Sequence, residues 1–296
     1  MRIFHVVCLF SLFAAASVAA AAPSSVAKIS VDDGARPCAA AKGGKFVWVS
    51  AYGSPVLFKI DPATNRVVGR TKIGHGSCGL GAGAGSLWIE DTSSSTVSRV
   101  SFRTGRRVAA IKVGSTPYDA TFASGAAWVT AYGQGELERI DPARNRVVKR
   151  FPLNLAVGVV GAFDSIWASG SAGLIRVDPV ANKVVAEIDV EFAGWLAASD
   201  DAVWVTTTSG LTRVDPETNE VVAEIPIPGP LGDPAFVNGR VWVPQTRRNR
   251  IAIVDPSTNS VERTIKAGVG PFVVTEIDGE AWVPSWRGKD VWRFGP

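Results

Sequence analysis

Residues 125–151 read GAAWVTAYGQGELERIDPARNRVVKRF, and variants of this phrase recur along the chain. Each copy has a tryptophan between small or aliphatic residues, then a segment that ends in Asp-Pro in most copies, then a second apolar segment. The tryptophans of the copies are Trp48, Trp88, Trp128, Trp167, Trp204, Trp242 and Trp282. Their spacings of 40, 40, 39, 37, 38 and 40 residues indicate internal repetition.

A period near 40 residues built from short strands is typical of a β-propeller. Apolar and polar residues alternate within each repeat, and the breaks fall at turn-forming residues. We therefore predict an all-β fold, a seven-bladed β-propeller of four-stranded antiparallel blades, with the tryptophan on the second strand of each blade. Residues 22–296 form a single domain in this interpretation. The tryptophans are expected to pack between blades, because stacked repeats must bury one continuous apolar layer.

The link between the third and fourth strands is the best-defined turn of the repeat. Five copies read Asp-Pro-x-x-Asn, at residues 61–65, 141–145, 178–182, 215–219 and 255–259. Proline presets φ, aspartate accepts bonds from the following backbone, and asparagine tolerates the left-handed conformation. The second repeat substitutes Ser101-Phe-Arg-Thr-Gly105. We interpret these aspartates as turn residues; the alternative is that they are metal ligands.

The two ends of the chain complement each other. The last repeat has three strands, near Val273, Trp282 and Val291, and then lacks a fourth. Residues 25–31, SVAKISV, match the pattern of a fourth strand. We therefore predict that the N-terminal strand completes the last blade and closes the ring, which protects the free sheet edges.

Residues 1–21 have the parts of a secretory signal peptide: Arg2, a short apolar stretch and a small-residue cleavage site. The protein is therefore expected to be secreted or periplasmic, with an uncleaved anchor helix as the alternative. No further apolar run is long enough to span a membrane. The formal net charge of +4 is mild and its basic residues are scattered, which argues against nucleic acid as a partner. We expect a monomer.

Two cysteines remain after removal of the signal peptide. Cys38 and Cys78 each stand ten residues before the tryptophan of their blade, so they occupy equivalent positions on adjacent blades. An even pair in an exported protein favours a disulfide, and two free buried thiols are the alternative. Two soft ligands alone do not make a metal site.

Unusual residues concentrate at one end of the ring, which we call the mouth: the end that holds the connections into the first strand and from the second strand to the third. The candidate ligand-binding residues there are Tyr52, Glu90, Asp91, Tyr118, Asp119, Tyr132, Trp195, Phe272, Trp286 and Arg287. Arg36, His75 and Arg247 occupy the same kinds of position. Aromatic rings with a few charges suit a platform for a small molecule, a glycan or a protein partner. The alternative is that the rings only plug the channel entrance and the charges are solvated.

Charge is divided around the mouth. The acidic residues Glu90, Asp91 and Asp119 belong to blades two and three. The basic residues belong to blades six and seven and are Arg247, Arg248, Arg250 and Arg287. A polar ligand would be oriented by such a field.

The Gly-x-x-Trp-Val, Asp-Pro-x-Thr-Asn and Val-Val-x-x-Ile arrangement resembles the YVTN and streptogramin B lyase-like (virginiamycin B lyase-like) seven-bladed propellers, over residues 25–296. The resemblance implies a lyase that uses channel histidines, a glutamate and Mg²⁺. After the signal peptide this chain has one histidine, His75, which lies three residues before Cys78 and not in the equivalent position. The lyase site therefore does not carry over.

No nucleophile elbow and no histidine pair with metal-ligand spacing occurs, so no catalytic residue and no cofactor are assigned. We predict a non-catalytic scaffold that binds a ligand or partner through the mouth. The alternative is a divergent metal-assisted enzyme, of the streptogramin B lyase or lactonase type, that uses Mg²⁺ or Ca²⁺ on the acidic side of the same mouth.

Overall fold

The computed structural model describes residues 25–295, so the predicted signal peptide at residues 1–21 lies outside the described residues. The first strand of the described residues is β1, Ser25–Ser30. Blade 1 contains β2 Pro37–Gly43, β3 Phe46–Ala51, β4 Val56–Asp61 and β5 Arg66–Lys72; blade 2 contains β6 Leu80–Gly83, β7 Ser86–Asp91, β8 Thr96–Ser101 and β9 Arg107–Lys112. Blade 3 contains β10 Pro117–Ala123, β11 Ala126–Ala131, β12 Glu136–Asp141 and β13 Arg146–Pro152.

Four further blades follow with the same antiparallel order. Blade 4 contains β14 Val159–Ala162, β15 Ser165–Gly170, β16 Gly173–Asp178 and β17 Lys183–Ile188; blade 5 contains β18 Leu196–Ala198, β19 Val203–Thr206, β20 Gly210–Val214 and β21 Val221–Pro226. Blade 6 contains β22 Ala235–Val237, β23 Arg240–Gln245, β24 Arg250–Asp255 and β25 Ser260–Lys266, with a 3-10 turn at Thr246–Arg248. Blade 7 contains β26 Thr275–Ile277, β27 Glu280–Pro284 and β28 Asp290–Phe294, and β1 is its fourth strand.

The ring closes as the sequence predicts. Strand β1 pairs antiparallel with β28, and Ile29 lies opposite Val291 in the register. Both side chains are buried in one apolar cluster that also holds Trp282. The first strands of successive blades contact one another around the ring, and β26 contacts β2. The seven-bladed fold and its closure by the N-terminal strand are therefore confirmed. No helix within residues 25–295 is long and apolar enough to cross a membrane.

The repeated tryptophans are core residues, as predicted. All seven are buried, and each belongs to an apolar cluster between or within blades. In four blades the indole N–H donates to the carbonyl five residues earlier, at 3.1 to 3.2 Å. This bond satisfies the single polar atom of the indole inside the core, where an unpaired donor would be costly.

The Asp-Pro-x-x-Asn segments are turns, and they also join neighbouring blades. The turn asparagines adopt φ between 49° and 63°, and the Asp141 carboxylate accepts the Ala143 N–H at 2.7 Å. An arginine opposite the tryptophan on the third strand reaches the turn of the next blade. Arg139, for example, lies over the Trp128 ring and donates to the Pro179 carbonyl at 2.9 Å and to the Asn182 side-chain oxygen. We call this contact the arginine latch.

The latch and its turn occur together or not at all within residues 25–295. The latch arginines are Arg99, Arg139, Arg176, Arg213 and Arg293, and their targets are the five Asp-Pro turns. Blade 1 has Lys59 at this position, and the next blade has the divergent Ser101–Gly105 turn. Blade 6 has Ile253, and in the next blade the third and fourth strands come from opposite ends of the chain. The latch arginine is present wherever a turn can receive it.

Candidate functional site

Six aromatic side chains meet at the mouth. The contacts run from Tyr132 to Tyr118 at 5.5 Å between ring centroids, from Tyr118 to Trp195 at 5.3 Å, and from Trp195 to Phe272 at 5.1 Å. They continue to Trp286 at 5.7 Å and to Tyr52 at 6.0 Å. Centroids at these separations are in the range of favourable aromatic pairs. The residues come from blades 1, 3, 5 and 7, so the aromatic array spans the ring entrance.

The array encloses a cavity of about 370 Å³ and does not fill the entrance. We call it the mouth cavity. It is lined by Tyr52, Gly76, Cys78, Glu90, Thr92, Thr116, Tyr118, Trp195, Phe272 and Trp286. Its volume lies in the range of small-molecule sites, which are mostly apolar with a few placed polar groups. Six of the ten predicted site residues therefore line one cavity.

The floor of the mouth cavity contains a disulfide. Cys38 and Cys78 are bonded, with their Cα atoms 5.0 Å apart, so the predicted bond is confirmed and the free-thiol alternative is wrong. The separation falls within the ordinary range for a disulfide. Cys38, Ala39 and Val273 form a buried cluster, against which Phe272 and Trp286 pack. The disulfide thus ties blade 1 to blade 2 beneath the aromatic rings.

Glu90 occupies a position that is structural in the other blades. Two residues after their tryptophans, Ser50, Thr130, Ser169 and Thr206 each accept a backbone N–H from the start of their own first strand or from the residue just before it, at 2.8 to 3.2 Å. Glu90 does the same with one oxygen, Oε1, which accepts the N–H groups of Cys78 and Gly79. A hydroxyl is sufficient for this task. The second carboxyl oxygen of Glu90 is therefore additional to what the fold needs.

That second oxygen, Oε2, is buried and has no hydrogen-bond partner among the described residues. The Glu90 side chain is 0% exposed, yet the residue lines the mouth cavity. Burial raises the pKa of the Glu90 carboxyl well above its ordinary value, and the charges of Asp119 and Asp91 add to this effect. A buried polar atom without a partner is costly unless a bound group satisfies it.

Asp119 lies beside this site, on the first strand of blade 3. Its carboxylate accepts the N–H of Ala120 at 2.8 Å and the N–H of Val159, on the next blade, at 2.9 Å. Burial raises its pKa to about 6. Asp119 therefore joins two blades and also contributes negative charge near Glu90.

Asp233 is a residue that the sequence analysis missed. It stands nine residues before Trp242, the same position that Asp119 has relative to Trp128. Asp233 is partly buried; desolvation by burial raises the pKa of its carboxyl well above the ordinary value, and the charge of Asp119 adds to this. Alignment of the repeats on their tryptophans would have found it.

Asp91 is placed differently from its neighbour. It does not line the mouth cavity, and its two oxygens accept hydrogen bonds from the Gly74 N–H and from the hydroxyls of Ser77, Thr96 and Ser98. Successive side chains of a strand point to opposite faces, so Glu90 and Asp91 cannot share one environment. Asp91 orders the connection into blade 2.

The basic residues lie at the outer edge of the mouth or beyond it. The Arg36 guanidinium lies over Tyr52 at 4.8 Å and over Trp286 at 4.5 Å, and Arg287 lies over Trp286 at 5.7 Å. Arg248 and Arg250 line a separate surface depression with Pro228. Arg247 and His75 are exposed. Tyr132 packs on Tyr118 behind the cavity wall.

Within residues 25–295 no three His, Cys, Asp or Glu side chains are grouped as metal ligands would be. The described site thus offers aromatic surface, the indole N–H of Trp286, which is buried without a partner, and the unpaired oxygen of Glu90. Such an arrangement can hold a small organic molecule by ring contacts and by hydrogen bonds at two points.

The sequence matches no protein-family profile and no curated protein. Among solved structures, a streptogramin B lyase is similar with a TM-score of 0.78 and 14% identity over 91% of this chain and 96% of that chain. A catalytically inactive virginiamycin B lyase from Staphylococcus aureus with quinupristin has a TM-score of 0.76 and 14% identity, over 91% of this chain and 98% of that chain.

The hydrazine synthase of Kuenenia stuttgartiensis is similar too, with a TM-score of 0.75 and 15% identity over 90% of this chain and 97% of that chain. These proteins have different activities, and the shared fold does not choose between them. The resemblance to streptogramin B lyase-like propellers is therefore confirmed for the architecture, a seven-bladed β-propeller.

Proposed function

We propose that this chain is an exported, non-catalytic binding protein that takes a small organic ligand into the mouth cavity. The observation that carries the proposal is the cavity of about 370 Å³ between five aromatic side chains at the ring entrance. Two buried polar atoms without partners, Glu90 Oε2 and Trp286 Nε1, belong to residues that line it. A ligand that reaches both atoms would satisfy them.

The wall of the mouth cavity supports a ligand more than a protein partner. Trp195 is 8% exposed, and Phe272 and Trp286 are partly buried, so the rings face inward around a concavity. A protein partner would need a broad surface, whereas a concave site of this size encloses most of a small molecule. The disulfide beneath the rings agrees with an oxidising compartment, where such bonds persist.

The test is a thermal-shift screen with soluble organic amines, carboxylic acids, sugars and neutral aromatic compounds, followed by calorimetric titration of the hits. A ligand that binds only the folded state raises the unfolding temperature, and the rise grows with the ratio of ligand concentration to Kd. At least one of these classes of compound should stabilise the native protein. Its affinity should fall at least tenfold in the double variant Tyr118→Ala/Trp286→Ala, because both rings form part of the cavity wall.

The matched control is Val180→Ala, at an 89%-exposed position in an Asp-Pro turn on the opposite face, which should bind like the native protein. Equal binding by the double variant and the native protein for every hit would contradict the proposal. A titration with Mg²⁺ and Ca²⁺ belongs to the same series. Heat of binding that is lost with Glu90→Gln would favour the metal-assisted enzyme instead.

A further inference from the structure

Aromatic rings at the rim of the mouth cavity already contact a cation of the protein itself. The guanidinium of Arg36 lies over the faces of both Tyr52 and Trp286, at 4.8 and 4.5 Å from the ring centroids. The faces of aromatic rings carry negative partial charge, so they attract cations, and attraction grows where water is excluded. Inside the cavity the rings of Tyr118, Trp195 and Phe272 extend the same wall.

The floor of the cavity adds the buried carboxyl group of Glu90. Among the described residues, no Lys, Arg or His forms an ion pair with Glu90. The charged groups that act on Glu90 are carboxylates, Asp119 and Asp91. Asp119 in turn acts on Asp233. Where they ionise, these carboxyl groups oppose an anion at the floor and give a neutral ligand no electrostatic advantage, whereas the cations Arg36 and Arg287 lie over Trp286 at the rim.

Taken with the proposed function, on which it rests, this geometry points to a specific ligand class. We propose that the mouth cavity binds an organic ammonium cation, with its alkylated nitrogen among the aromatic rings and its charge balanced by Glu90 at the floor. Aromatic rings around a buried acid satisfy a cation that carries apolar substituents, whose hydration is weak. The indole N–H of Trp286 remains available for a hydroxyl or carbonyl on the same ligand.

Binding of the cation is coupled to a proton. Burial raises the pKa of Glu90 well above its ordinary value, so the carboxyl of the free protein tends to hold its proton, and a bound cation favours the ionised form. The proton leaves to the buffer as the cation enters. The other titratable groups around Glu90 are Asp91 on its own strand, and Asp119 and Tyr118 on blade 3; the charge of Asp119 also acts on Asp233.

The experiment compares choline with 3,3-dimethylbutan-1-ol, which has the same shape but no charge, by calorimetric titration at pH 5.5 and pH 8. We expect the native protein to bind choline at least tenfold more tightly than the alcohol at pH 8, and choline binding to strengthen with pH. Titrations in two buffers of different ionisation enthalpy should show release of protons on choline binding.

Two variants of Glu90 separate loss of its charge from loss of the folded structure. Glu90→Gln keeps the shape of the side chain, and Glu90→Ser restores the hydroxyl that blades 1 and 4 use to hold the same backbone N–H. Both should lose at least tenfold in choline affinity and all of its proton release, and this loss should exceed any loss of affinity for the alcohol. Choline binding by both variants at native affinity would overturn the role of Glu90.

The results distinguish a wrong ligand class from a cavity that binds no ligand. If choline and the alcohol bind equally and both lose affinity with Tyr118→Ala/Trp286→Ala, the mouth cavity is a site for neutral ligands and the cation proposal is wrong. If neither compound binds, the cation proposal is also wrong, and the broader screen decides whether the cavity binds anything.

Discussion

The two faces of the ring use the same repeat in opposite ways. On the face of the Asp-Pro turns, five arginine latches repeat one contact between neighbouring blades. Where a blade lacks the latch arginine, the next blade also lacks the turn that would accept its hydrogen bonds. At the mouth, equivalent positions hold different residues, and three buried polar side-chain atoms of the described residues there, Glu90 Oε2, Thr246 Oγ1 and Trp286 Nε1, have no partner. Where the repeat is kept, the side chains join neighbouring blades; where it is broken, the side chains line the mouth cavity, in which we propose that a ligand binds.

Removal of the disulfide is expected to have the largest effect, because the bond both stabilises the fold and supports the mouth. A Cys38→Ser/Cys78→Ser variant should lose about 4 kcal/mol of unfolding free energy, by the loop-closure estimate for a separation of 40 residues. Urea denaturation measures the loss, with the native protein under reducing conditions as a second sample. Binding at the mouth should weaken too, since the Cys78 N–H holds Glu90. A loss below about 1 kcal/mol would mean that the ring is closed well enough without the bond.

Removal of an arginine latch is expected to have the next largest effect. Arg139→Met keeps the apolar stem over Trp128 but removes the donors to Pro179 and Asn182, so unfolding free energy should fall by about 2–3 kcal/mol. Lys59→Met is the matched control, because Lys59 lies opposite Trp48 in the same register and its ammonium lies over the Phe46 and Trp48 rings; it should cost less than about 1 kcal/mol. Equal losses in urea denaturation would show that the latch contributes nothing beyond packing on the ring.

The buried acids near the mouth predict a smaller, pH-dependent effect. Because burial raises the folded-state pKa of Asp119 to about 6, the stability that its neutral form contributes is complete below pH 4 and is lost as pH rises through about 6. Between pH 5 and pH 8 the unfolding free energy should fall by about 1–2 kcal/mol.

The fall should be smaller in Asp119→Asn, which does not ionise. The turn acids Asp141, Asp178 and Asp255 have lowered pKa values and therefore act at lower pH, outside this window. Denaturation midpoints at pH 5, 6.5 and 8 measure how steeply stability falls with pH in the native protein and in the variant. Parallel slopes in the native protein and the variant would exclude Asp119 as the source.

Part of the site could be predicted from the sequence because position within the repeat fixes the face of the ring. Tyr52, Tyr118, Trp195, Phe272 and Trp286 are named correctly as mouth residues on that ground, and all five line the mouth cavity. Glu90 and Asp91 were predicted together, although strand alternation separates them. Asp233 was not among the predicted site residues, although it stands nine residues before Trp242, as Asp119 stands nine residues before Trp128.

The sequence by itself determined the number of blades, the order of strands, the Asp-Pro turns and the closure of the ring by residues 25–30. These are local properties, since period, alternation and turn chemistry act within about 40 residues and are repeated seven times. Only the tertiary structure decided that the cysteines bond, that the rings enclose a cavity, and that one oxygen of Glu90 lacks a partner. Those features depend on distances between blades, which the size and closure of the whole ring set and no single repeat encodes.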